Sequence, residues 1–195
     1  YVAAMSSFEK AVHDSKLGGS PRLEAYVLTS IGDLYQELDA TVEALEAYRQ
    51  AREIALRIRD DYLIFYINLA ESRIRQNLGE ISRAQELLTS SQIMANERGL
   101  LFEQNQCRLE QGRLKLSQGA YKDALLDFNT SLVISLREGY QVEIPRTTFY
   151  TLIASIKAKD QATAFEQIAP LQLLQDDPEK LKLLILAGRE VKKII

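Results

Sequence analysis

Few residues in this chain of 195 are equipped for chemistry, and they are poorly placed for it. There is one histidine, His13, and one cysteine, Cys107, far apart in sequence. A thiolate nucleophile needs a base beside it, and a metal site needs several ligands. These two residues supply neither. The sequence holds no phosphate-binding loop, no dinucleotide fingerprint, no paired-histidine zinc motif and no acids at metal-ligand spacing. Asn129-Thr130-Ser131 fits the glycosylation pattern, but Ser131 falls on a packed helix face, so the match reads as chance. No catalytic residue, metal or cofactor is expected.

The better candidates are polar side chains that recur at steps of forty. Asp33, Arg73 and Arg113 make one column; Gln36, Gln76 and Leu116 a second; Tyr26, Tyr66 and Gln106 a third. Asn77 stands beside Gln76, and Arg75 and Lys115 add positive charge nearby. Arginine and amide side chains on neighbouring helices about 10 Å apart can hold a carboxylate or the main chain of an extended peptide. The competing reading of the same residues is ordinary solvated helix surface.

Other columns keep the same step and say what must position these residues. Ala4, Ala44, Ala84, Ala124 and Ala164 form the first. Four residues on stand Phe8, Tyr48, Leu88, Phe128 and Ile168, and three further Ala11, Ala51, Ser91, Ser131 and Leu171. Small residues let two helices approach, and the large one between them fills the gap. Turn signals come twice per period: Gly19, Gly79, Gly99, Gly119 and Gly139, with Asp39, Arg59 and Lys159 in the remaining slots. Glycine past a helix end takes the left-handed conformation that closes it. Each unit therefore reads as helix A, turn, helix B, turn. A unit of this kind buries its apolar stripe only by stacking on its neighbours.

In order, a helix B from about Val2 to Leu17 opens the chain, and Ser20-Pro21 reads as an N-cap with proline in the first helical position. Helix A of the next unit carries Val27, Ile31, Leu34, Tyr35 and Leu38 at helical spacing. Asp60 or Asp61 caps the third unit, whose helix A turns Ile67, Ala70, Ile74 and Leu78 inward. In the fourth, Cys107 shares a column with Val27 and Ile67 and reads as a core thiol, while Phe128, Leu132 and Leu136 belong to helix B. Pro145 should delay the helix A of a degenerate fifth unit, with Asp160 available as a cap. Pro170 should end its helix B near Ile168, and a last helix should run from Asp177. One domain is expected, with units at about 1–19, 20–59, 60–99, 100–139 and 140–176 and a terminal helix at 177–195. A start at Tyr1, inside a helix B, suggests a piece of a larger protein.

Hydrophobic residues make up 46% of the chain, and tryptophan is absent. The net charge of −3 gives no overall field for nucleic acid, so no direct nucleic-acid contact is expected. A single cysteine is compatible with a reducing cytoplasm, and no apolar run is long enough for a membrane span.

Leu28, Ile31-Gly32, Tyr35, Ala44, Tyr48 and Ala51, with Leu78-Gly79…Ala84 and Gly119-Ala120-Tyr121…Ala124, resemble the tetratricopeptide repeat over nearly the whole chain. The period of forty departs from that family's usual thirty-four, and in the third unit Glu71, Ser72 and Arg75 replace apolar, small and aromatic residues. Among long repeats the style is similar to the helical domain of maltose-regulator-like bacterial transcriptional activators. The resemblance implies an all-α fold, a right-handed α-solenoid of antiparallel helix hairpins whose A helices line a concave groove. It also implies a non-catalytic module that takes a protein or peptide partner, or a small inducer, and biases other parts of a regulator. A scaffold that self-associates into a homo-oligomer is the alternative; a hydrolase or transferase fragment ranks far behind.

Overall fold

The computed structural model describes residues 2–160, 162–164 and 166, apart from the side chains of Val2 and Ala4. Among them run eight helices: α1 (Val2–Leu17), α2 (Pro21–Glu37), α3 (Thr41–Ile58), α4 (Asp61–Asn77), α5 (Ile81–Glu97), α6 (Leu101–Ser117), α7 (Tyr121–Glu138) and α8 (Glu143–Ala158). The fold is an all-α helical repeat, as the spacing predicts. Pro170, Ile168, Leu171 and the terminal helix from Asp177 lie outside the described residues.

All eight turn slots adopt positive φ: Gly19, Gly79, Gly99, Gly119 and Gly139, and also Asp39, Arg59 and Lys159. Around them the hydrogen bonds repeat. The residue after each slot donates to a carbonyl five back, as Ala40 to Tyr35, Asp60 to Ala55 and Ala120 to Lys115. Its own carbonyl then accepts the first bond of the next helix, as from Ala44, Ile64 and Ala124. One helix thus ends in a Schellman turn and the next begins on the following residue. Arg59 and Lys159 hold φ of 56° and 61° with a side chain attached. Arg59→Gly and Lys159→Gly should each raise stability by about 0.5–1 kcal/mol, because the left-handed penalty on a Cβ outweighs the extra entropy of an unfolded glycine. Urea denaturation with an unchanged slope is the check.

The columns are where the chain packs. Ala44, Ala84 and Ala124, Tyr48, Leu88 and Phe128, and Ala51, Ser91 and Ser131 are all fully buried. In two units the aromatic member lies against the preceding helix A, at positions 32 and 112. A Cβ on Gly32 would come within 2.6 Å of the Tyr48 ring, and one on Gly112 within 2.5 Å of Phe128. Where leucine replaces the aromatic, at Leu88, the position carries Ser72, whose hydroxyl donates to the Ala84 carbonyl at 3.2 Å.

The chain divides into two compact units, Tyr1–Met94 and Ala95–Ile195, with the boundary inside α5, where the sequence predicts one uninterrupted domain. In the first, α1 packs on α2, α2 on α3, α3 on α4, and α2 touches α4. In the second, α6 packs on α7, α7 on α8, and α6 touches α8.

Several local expectations are corrected. Ser20 occupies the N-cap position before Pro21, but its side chain makes no capping bond. Asp60 does cap, accepting from Leu63 N at 3.1 Å, and Asp160 accepts from Thr163 N at 3.2 Å. Leu38 and Leu78 are exposed rather than inward, because each is the C-cap residue just ahead of the left-handed turn. Leu136 is exposed too, like Leu56 two units earlier. Pro145 delays α8 as expected: a turn at 141–142 intervenes, and Pro145 sits in the first helical turn.

Candidate functional site

In the first unit the ladder residues of α2 and α4 meet. The Tyr48 hydroxyl, reaching across from α3, donates to Asp33 Oδ1 at 2.6 Å and lies 3.2 Å from Gln36 Oε1. Tyr66 donates to Asp33 Oδ2 at 3.0 Å. Asp33 thus ties α3 and α4 to α2. Burial, and after it the Asp33 carboxylate, holds the Tyr48 hydroxyl well above the usual phenol range, while Arg73 pulls the other way. The phenol therefore stays a donor at any physiological pH. Arg22 pairs with Asp60 at 3.0 Å and lies 5.7 Å from the Tyr26 ring centre. Tyr26, Asp33, Gln36 and Arg73 are half-buried, Tyr66 and Asn77 exposed, and Gln76 buried. Tyr62, one turn before Tyr66, is 51% exposed. The outcome is a face on α2 and α4 with fixed tyrosines and few unneutralised charges.

In the second unit two of the corresponding residues, Arg113 and Leu116, turn inward. Arg113 is buried and pairs with Glu110 at 3.1 Å. Glu110 also receives Arg146 at 3.1 Å, and Arg146 reaches Glu143 at 3.5 Å. Arg113 lies 5.3 Å from the Tyr150 ring, which stacks on Phe128. These two arginines and two glutamates join α6 to α8. Gln106 is half-buried and Leu116 buried.

The expected surplus of positive charge is also corrected. Arg75 bonds Glu71 at 3.2 Å and Glu80 at 2.8 Å, and Arg52 joins Glu71 at 2.5 Å. Lys115 is held by the buried Asp127 at 2.6 Å, with Arg108 at 3.7 Å. These cations link helices and turns. Arg73 and Arg113, read from sequence as a pair on neighbouring helices, belong to different units, and within the first unit the α2 and α4 residues Asp33 and Tyr66 come together.

Glu110, Glu143 and Arg146 escaped the reading of the sequence. Arg146 was within reach, since it is the next member of the Tyr26, Tyr66, Gln106 column. Glu110 stands in a column with Ser30, Ala70 and Tyr150, where a lone charge is the signal. No protein-family model matches the chain, and no curated protein matches it.

Cys107 is fully buried, and burial, followed by Glu110 and Glu103, pushes its thiol up to about 12. It is a core thiol, and its burial disfavours the thiolate that a nucleophile needs. His13 is exposed. Among the described residues no group of three or more His, Cys, Asp and Glu could hold a metal ion, and no helix is long and apolar enough to cross a membrane. A shallow depression of about 450 Å³ lies between Gly119–Asp123 and Lys157–Lys159. It contains none of the ladder residues and opens widely to solvent, so the α2 and α4 face remains the better candidate.

Proposed function

We propose that the chain is a non-catalytic, cytoplasmic partner-binding module, a tetratricopeptide-like segment of a bacterial transcriptional activator or signalling regulator. The supporting observation is the α2 and α4 face, where two tyrosine hydroxyls converge on Asp33. Tyrosines held in place give large amphipathic contact area at little entropic cost. An extended segment of a protein partner is the natural occupant, since its main chain can bond to Gln36, Asn77 and the ring hydroxyls. The acidic-ligand reading loses support, because Arg75, Arg113 and Lys115 are already paired.

The test is selection from a phage-displayed library of random unstructured peptides, followed by titration of one selected peptide against the full chain. Binding should weaken about tenfold or more in Tyr26→Ala/Tyr66→Ala, by the magnitude typical of an aromatic anchor. Equal affinity in the variant, or no peptide recovered, counts against the proposal. Concentration-dependent mass without any ligand would instead favour self-association.

A further inference from the structure

The first unit builds part of its core from Ala25, Ala51, Ala55, Leu63 and Ile67, one apolar cluster across α2, α3 and α4. Two repeats later the same positions carry Asn105, Ser131, Ser135, Glu143 and Thr147 on α6, α7 and α8. All five are polar, and none is more than 3% exposed. Water at the surface cannot account for that change, because these side chains do not reach it.

Only part of this polar seam is satisfied. Asn105 Nδ2 donates to Ser135 Oγ at 2.9 Å. Asn105 Oδ1, Ser131 Oγ and Thr147 Oγ1 make no hydrogen bond with any described residue. Turning the Asn105 amide over would only exchange which half is unpaired. Neighbouring hydroxyls on α8 do find partners one turn back, Thr151 on the Thr147 carbonyl at 2.9 Å and Ser155 on the Thr151 carbonyl at 2.7 Å. Buried polar atoms are seldom left alone, because losing water without replacement is costly.

We propose that this seam is an internal hydration site: one ordered water accepts from the hydroxyls of Ser131 and Thr147 and donates to Asn105 Oδ1. Three hydrogen bonds is the usual complement of a buried water. The water supplies the donor that Asn105 needs and the acceptor that the two hydroxyls need, and it joins α6, α7 and α8. Ser135 closes the chain on the α7 side. The site is independent of the partner-binding face and stands whether or not that face takes a peptide.

A high-resolution crystal structure of the full chain tests it, with Thr147→Val as the companion variant. Density for a water within hydrogen-bonding distance of Asn105 Oδ1, Ser131 Oγ and Thr147 Oγ1 is the expected result. Thr147→Val, which keeps the shape and removes one bond, should then lower Tm by about 2–4 °C. A dry seam, with the two hydroxyls turned onto the Asp127 and Glu143 carbonyls, would overturn the proposal. So would a Tm that rises in Thr147→Val, since removing a truly unpaired hydroxyl stabilises.

Discussion

Replacing Glu110 by alanine should destabilise the protein by about 3–5 kcal/mol, the largest loss of any single substitution considered. Glu110 is 2% exposed and accepts from both Arg113 and Arg146. Its removal takes from the buried Arg113 and from Arg146 the carboxylate they share, and weakening the pairing of a charge in a low-dielectric site is expensive. Total stabilities of about 5–15 kcal/mol make that loss a large fraction of the whole. Added salt should rescue little of it, because buried charges are screened weakly. The four charges together need not be favourable against an apolar core. A variant carrying Glu110→Leu, Arg113→Met, Glu143→Leu and Arg146→Met should be neutral or more stable by about 1–4 kcal/mol. Urea melts of the single and quadruple variants check both statements.

The second large effect belongs to Gly112→Ala. Alanine is favoured over glycine in a helix by about 1 kcal/mol, so propensity alone predicts stabilisation. Packing predicts the reverse. The new Cβ would sit 2.5 Å from Phe128 Cε1, on a ring that is fully buried and stacked on Tyr150. Neither the ring nor the backbone of α6 can yield cheaply, and overpacking of this kind costs about 1–3 kcal/mol. The net loss should reach about 2 kcal/mol at most once the propensity gain is subtracted. Thermal unfolding followed by circular dichroism reads it.

How far the sequence announces this structure varies with the kind of feature. Turns were legible because a Schellman closure is local: Gly79, Gly99 and Gly119 mark it, and register carries the assignment to Arg59 and Lys159, where no glycine stands. The packed columns were legible because small, large and small residues meet at fixed spacing. Leu38 and Leu78 were misread for a physical reason, since helical periodicity says nothing about where a helix stops. The destination of the polar ladder was the least legible part. Asp33 is fixed by hydroxyls fifteen and thirty-three residues away, and Arg113 by a carboxylate that Arg146, on another helix, shares. Those partners depend on which helices lie side by side, a question that composition and spacing leave open. Hence the ladder was found, while its division into a face on α2 and α4 and an ionic core on α6 and α8 was not.

On α2 and α6 a glycine leaves the space that the aromatic side chain of the following helix fills, Gly32 for Tyr48 and Gly112 for Phe128. A double-mutant cycle on Gly112→Ala and Phe128→Leu measures that fit. The double variant should be more stable than the sum of the two losses by at least about 1 kcal/mol, well beyond the roughly 0.3–0.5 kcal/mol within which independent sites add. Losses that simply add would contradict it.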